Sequence, residues 1–315
     1  MRLAVVTQAV DVEDPVLGAT VPKLRALAER VDELVVLSLR VGPHALPENT
    51  RVQSIAASNR ALRGLRFARA LRAARPDAVL AHMAPIYAVL AAPFRAPVLL
   101  WFTHPRDSRL LRTATRVSKA VLTVDERSFP FASPKVQAIG HGIDVERFAC
   151  RPAAAGETLH LLSLGRFSRV KRYDLIERAA ARVDGVDVEF VGPSLSEDDR
   201  RYRATLSRTR DAVAWTEVPS LLARYDAFVS ATEAGSADKA ALEAAAACLP
   251  VLASTPAFAS LLPEELRFVS EEELAARLEW LKTADRAALG RTLRERVRAG
   301  HSVETWAERV LEAAA

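Results

Sequence analysis

Cysteine is nearly missing from this chain: Cys150 and Cys248 are the only two in 315 residues. They lie far apart without metal-type spacing, so reduced thiols in a reducing cytoplasm are expected and a disulfide is not. Lysine is scarce as well, at positions 23, 119, 135, 171, 239 and 282 alone, so the net charge of +5 comes almost wholly from arginine. Such an excess suits an anionic partner without choosing among nucleotide, nucleic acid and acidic lipid. Long apolar runs are lacking too. The most apolar stretch, AVLAAPFRAPVLLWF, is broken by two prolines and Arg95 and falls short of the roughly 20 residues that span a bilayer. The opening MRLAVVTQAV has no small-residue cleavage site and reads as a first buried strand, not a leader. A GxGxxG fingerprint, a Walker loop, a GxSxG elbow and a His/Cys metal cluster are all absent, which disfavours a dehydrogenase, ATPase, hydrolase or zinc enzyme.

What is present is alternation. Short Val/Leu-rich runs separate Ala/Arg/Leu segments of helical period, the βαβ signature of parallel sheets covered on both faces. The first half predicts strands near 2–7, 33–39, 51–55, 78–82, 97–103, 120–124 and 135–139, with helices near 18–31, 61–74, 85–93 and 107–118. The pattern pauses over the non-periodic 140–157 and restarts at LHLLSLG. Strands follow near 159–164, 187–191, 212–215, 226–230 and 250–253, with helices near 171–183, 196–209, 238–247, 271–299 with a break, and 302–314. The fold class expected is α/β, two Rossmann-like doubly wound domains facing a central cleft. Their bounds are 1–145 and 156–300, and the final helix 302–315 packs back on the first. Ligands of such folds meet the carboxyl ends of the strands.

Two segments could carry chemistry there. In LHLLSLGRFSRVKRYDL a strand ends at Gly165, Arg166 follows at once and Lys171 opens the next helix, so two cations beside a helix start make a site for a diphosphate. The same residues could equally be solvated basic groups flanking a loop. In TEAGSADKAALEA, Gly235 and Ser236 follow a strand and Asp238 could cap the helix. Lys239 stands at a helix amino terminus, where the dipole disfavours a cation. Either it faces a ligand phosphate while Glu243 reaches a ribose hydroxyl, or the two form a surface ion pair four residues apart.

At these residues the second half resembles the donor domain of retaining glycosyltransferases with the two-Rossmann GT-B fold, the large family 4 that includes mannosyl- and glucosyltransferases. GRFSRVK is similar to the family's Gly-Arg-(x)-Lys diphosphate motif, VEFVGPS with Gly192 to the strand and loop that follow, and LEAAAACLPVLAS to its Leu-Glu-Ala-(x)-Ala-(x)-Gly-(x)-Pro-Val run. IGHGIDVERF resembles the interdomain hinge and HSVETWAERVLE the helix that crosses back. The resemblance covers most of residues 136–315. It implies that Arg166 and Lys171 bind the nucleotide diphosphate, that Glu243 holds the ribose, and that backbone amides around Gly235 and Ser236 contact phosphate or sugar. The family's first glutamate, eight residues before the second, is replaced by Gly235, with Glu233 and Asp238 the nearest acids. Leu249 stands where glycine is usual.

The first half resembles the family only in pattern. Its glycine-rich loop is reduced to QAVDVEDPVLGAT, where Gly18 is the remaining glycine and the acceptor-side candidate. His104, after APVLLWFT, stands where family members often place a histidine facing the reacting sugar, or is a hydrogen-bonded structural residue. His82 is the weaker candidate of the two. In NRALRGLRFARALRAARPD only Arg66, Arg69 and Arg72 share an arc, opposite Phe67, Leu71 and Ala74. That arc is either a solvated face or a contact for an anionic membrane surface.

The function expected is transfer of a sugar from a nucleoside diphosphate sugar to a hydroxyl acceptor, with retention implied by the resemblance. Cations stabilise the leaving diphosphate and no metal or cofactor is expected. No nucleic-acid partner is expected, and the location is cytoplasmic, with peripheral contact at the inner membrane face. Two alternatives stand beside it: a catalytically weakened nucleotide-sugar-binding partner of an active transferase, and a nucleotide-sugar epimerase of the same fold.

Overall fold

Runs of Val, Leu and Ala without polar alternation become strands covered on both faces. The computed structural model describes residues 1–150, 158–233 and 238–315. Two units separate within it, Met1–Asp144 with Ser302–Ala315, and Val145–His301.

The first unit runs β1 (Arg2–Val10), α1 (Thr20–Ala28), β2 (Glu33–Val41), β3 (Thr50–Ser54), α2 (Arg60–Ala74), β4 (Ala78–His82), α3 (Pro85–Ala91), β5 (Val98–Trp101), α4 (Arg109–Val117), β6 (Ala120–Thr123) and β7 (Val136–Ala138). All seven strands are parallel, in the order β3-β2-β1-β4-β5-β6-β7. The chain first winds outward from β1 through β2 and β3, then crosses to β4 on the other side. A switch point therefore lies at the carboxyl ends of β1 and β4. On α2, Asn59 accepts the Leu62 N–H at the start, Phe67, Leu71 and Ala74 are buried, and Arg66, Arg69 and Arg72 are exposed.

The second unit runs β8 (Leu159–Leu164), α5 (Tyr173–Ala181), β9 (Val186–Val191), α6 (Glu197–Arg203), β10 (Thr209–Arg210), α7 (Val218–Leu222), β11 (Ala227–Ser230), α8 (Lys239–Ala246), β12 (Val251–Ala253), α9 (Glu271–Leu281) and α10 (Arg286–His301). Its five parallel strands are ordered β10-β9-β8-β11-β12, which puts the switch point at the ends of β8 and β11. The last helix, α11 (Val303–Ala314), belongs to the first unit, entered where Val303 N–H donates to Ile143 C=O at 2.9 Å.

Three expectations need correction. The strand read at 212–215 is a loop leading into the 3-10 turn Trp215–Glu217; pairing with β9 occurs earlier, at Thr209 and Arg210, opposite Phe190 and Val191. The backbone that calls for glycine after α8 is Cys248, with φ +63°, and not Leu249. There α10 approaches so closely that a Cβ on Gly290 would lie 1.8 Å from the Cys248 carbonyl oxygen. Finally, the cysteines are paired: Cys150 and Cys248 form a disulfide, their Cα atoms 5.0 Å apart across 98 residues of sequence. Sequence distance hid this, because α8 ends beside the segment by which the chain enters the second unit. Closing a loop of that size removes unfolded-state entropy worth about 4.7 kcal/mol in the chain-entropy account.

In the first unit a polar cluster is sealed at the strand ends. Lys23 of α1, 4% exposed, holds its ammonium 5.1 Å from the Trp101 ring and 5.3 Å from the Trp306 ring of α11, a desolvated cation over two indole faces. Gly142, at φ +77°, makes room: a Cβ there would meet Lys23 Cε at 2.8 Å and Trp306 Cγ at 3.0 Å. His82 ends β4, shares a hydrogen bond with Thr7 (3.1 Å), and is buried. Burial first, and the Lys23 charge second, push its imidazole well below the ordinary 6.5, so it is neutral in the fold. The unfolded chain then binds the extra proton as pH falls below about 6.5, and stability declines there by about 1.4 kcal/mol per pH unit. Denaturant titrations at pH 7.5 and 5.5 should show that loss in the native chain and not in His82→Gln; equal slopes would refute it.

Candidate functional site

Sheet and loops of the second unit meet at the β8/β11 switch point. Gly165 follows β8 with φ +151°, and any Cβ on it would meet Lys171 Cε at 3.1 Å and the Tyr173 hydroxyl at 3.3 Å. Tyr173 donates its hydroxyl to Gly165 C=O at 3.0 Å. Burial and the nearby Asp238 raise that phenol well above its ordinary pKa, which keeps it a donor. Gly192, after β9, lies against the same carbonyl: its Cβ would come within 1.9 Å of Gly165 O. The two glycines thus set a tight passage of backbone from which the next residues project.

Those residues are Arg166 and Lys171. The Arg166 side chain is 52% exposed, its Nε 3.8 Å from Asp199, whose carboxylate in turn accepts the Leu195 N–H at 2.9 Å. Lys171 closes the 3-10 turn Arg169–Lys171 and does not open the helix; α5 begins two residues later, after Arg172 in the left-handed region. Its ammonium donates to Asp238 Oδ2 at 2.5 Å, the pair being 19% and 11% exposed. Ser230 Oγ, at the end of β11, donates to the same oxygen at 3.2 Å and sits 3.2 Å from the Thr232 hydroxyl. Asp238 therefore spends its carboxylate on Lys171 and Ser230, and makes no side-chain cap to α8. Glu233 is exposed, 3.8 Å from Arg172.

Lys239 pairs with Glu243 Oε1 at 3.1 Å. The pair is not a surface one, for Glu243 is 2% exposed and also accepts the Trp215 indole N–H at 2.9 Å. A lysine at a helix start is explained here by a buried carboxylate one turn on. Gly235 and Ser236 lie outside the described residues.

The remaining candidates, Gly18 and His104, belong to the first unit. Gly18 is buried, and its N–H donates to Asp14 C=O at 2.9 Å. His104 is exposed beyond the end of β5, and its Nδ1 accepts the Arg106 N–H at 3.0 Å. Sequence reasoning missed Ser230, Thr232 and Trp215. Trp215 left one legible sign, a large aromatic closing the run AVAW in a chain with four tryptophans. No group of three or more potential metal ligands occurs among the described residues, and no helix among them is long and apolar enough to cross a membrane.

Arg166 and Lys171 face the strand ends where α/β folds take up nucleotides, and Glu243 is a buried acceptor nearby in the same unit. Residues 171–312 match the family described as glycosyl transferase-like. No curated protein matches the chain in sequence. Among solved structures, HepE of Anabaena, in complex with UDP and glucose, is similar over 98% of each chain at 16% identity and a TM-score of 0.76. Sucrose-phosphate synthase of Thermosynechococcus elongatus is similar over 99% of this chain and 97% of its own, at 16% identity and 0.77. WaaG, a glycosyltransferase involved in lipopolysaccharide biosynthesis, is similar over 98% of each chain at 13% identity and 0.69. The chain thus has the GT-B fold of these neighbours throughout, and its residues 171–312 carry the glycosyl transferase-like family pattern.

Proposed function

We propose that this chain transfers a sugar from a nucleoside diphosphate sugar, with a UDP-sugar the first candidate, to a hydroxyl acceptor on a glycan, a lipid-linked molecule or a small molecule, with retention at the anomeric carbon. The observation that carries the reading is the placement of Arg166 and Lys171 just beyond β8, at the switch point of the second sheet. The anomeric C–O bond breaks with its electron pair on the diphosphate. The acceptor oxygen bonds the same carbon on the same face, and its proton passes to the leaving diphosphate. Arg166 and Lys171 stabilise the charge that grows on that leaving group, so the reading invokes no metal and no cofactor. Glu243 would accept a ribose hydroxyl. Gly165, Gly192, Gly235, Ser236, Asp238, Lys239 and Glu233 would shape or contact the donor, with His104 and Gly18 on the acceptor side.

The first unit, 1–145 with 302–315, is assigned the acceptor and the second, 156–300, the donor. Exposed Arg66, Arg69 and Arg72 on α2 suit peripheral contact with an anionic cytoplasmic membrane face, and no nucleic-acid partner is proposed. One observation favours a second reading, a weakened nucleotide-sugar-binding partner: Lys171 already has an internal counter-ion in Asp238.

A donor panel read by mass spectrometry, with and without acceptors, separates these. Transfer predicts free UDP together with an acceptor heavier by one sugar residue. Binding of every donor without turnover would establish the partner reading instead, and an epimerised donor formed without acceptor would point to an epimerase.

A further inference from the structure

Glu243 is among the most buried charged side chains described, and a carboxylate persists there only if its charge and lone pairs are met. Both of its protein donors fall on one oxygen. Lys239 brings the charge to Oε1 from one turn earlier on α8, at 3.1 Å. The Trp215 indole brings an N–H to the same Oε1, at 2.9 Å, from a separate element. Among the described residues Oε2 takes no hydrogen bond.

The two donors differ in what they fix. A lysine ammonium on a flexible stem supplies charge with little direction. An indole N–H is a single donor in the plane of a rigid ring, and this ring is itself held. Trp215 is 4% exposed. The Arg147 guanidinium lies over its face, 3.5 Å from the ring centre, and donates through Nη2 to the Trp215 carbonyl at 3.0 Å. Glu217 closes the turn beneath it by accepting the Ala214 N–H at 2.9 Å. The direction of the carboxylate is thus imposed from outside α8.

We propose that Trp215 is a positioning residue that turns Glu243 so that Oε2 accepts a ribose hydroxyl of the nucleotide, making this residue pair the source of selection for a ribonucleotide over one lacking those hydroxyls. The proposal rests on the donor-site reading given above. A fixed buried acceptor rejects a ligand without its hydroxyl far more strongly than a mobile one, because the acceptor is then left unpaired.

The test is titration of the full chain with UDP, 2′,3′-dideoxy-UDP and inorganic pyrophosphate. The native chain should prefer UDP to the dideoxy analogue by about tenfold or more. Trp215→Phe, which keeps the ring and removes the N–H, should bring that preference below about threefold while pyrophosphate affinity stays within about twofold. An unchanged preference in folded Trp215→Phe, with UDP binding still weakened by Arg166→Ala, would overturn this inference and leave the site standing. No effect of Arg166→Ala or Lys171→Ala on UDP binding would remove the site reading itself. If Trp215→Phe does not fold, the native chain carries the test by proton NMR. One indole N–H signal should move with UDP and not with pyrophosphate, and four unmoved signals would overturn the proposal.

Discussion

Gly192→Ala is expected to cost about 3 kcal/mol or more of stability and to abolish measurable UDP binding. The added methyl would lie 1.9 Å from the Gly165 oxygen and 2.6 Å from its carbonyl carbon, both backbone atoms. Neither side can retreat cheaply. Gly165 N–H donates to Val191 C=O at 2.9 Å and Phe167 N–H donates to Pro193 C=O at 3.0 Å, so the two chain segments are tied on both sides of the contact. Relief requires moving Gly165, and Arg166 goes with it. The control is Gly64→Ala on α2, where the nearest atom to a Cβ is a leucine methyl at 3.8 Å; there alanine should stabilise by about 0.5–1 kcal/mol. Urea denaturation of both variants checks the pair. Equal stability of the two would contradict the close approach.

Lys171→Ala should weaken UDP binding about 100-fold, or about 2.7 kcal/mol, near the lower end of the cost of truncating one partner of a desolvated charge pair. Two losses combine: the diphosphate loses a cation, and Asp238, 11% exposed, is left as an uncompensated anion beside it. Asp238→Asn should act in the opposite sense and tighten UDP binding about tenfold, since it removes a like charge and frees the lysine. The double variant should therefore bind UDP better than Lys171→Ala alone. Calorimetric titration of the four proteins closes the cycle. A double variant no better than Lys171→Ala would show that Asp238 does not sense the diphosphate.

The strands were legible because parallel strands covered on both faces are written as unbroken apolar runs, and AVLAH and AVLT need no partner to be read. The run AVAW was misread by the same logic. Its tryptophan is buried by a guanidinium and a carboxylate, not by a sheet, and no local pattern reports that. Arg166 and Lys171 could be placed at a strand end from sequence alone. Their acidic neighbours could not: Asp199 approaches Arg166 from 33 positions away, and Asp238 reaches Lys171 across 67. Lys239 shows the limit in the other direction. Its unfavourable place at a helix start was visible, and of the two partners considered the structure supplies Glu243, buried instead of at the surface.

The rear of α8 is fastened several times over. Cys248 is bonded to Cys150, Gly290 lies against the Cys248 carbonyl, and the Arg294 guanidinium takes the carbonyls of Ala246 and Phe148. The helix is in effect a cantilever, built in at the end away from the strand tips. A ligand arriving at Asp238 and Lys239 therefore meets side chains carried on a beam whose far end is held by a disulfide, a close backbone contact and a guanidinium.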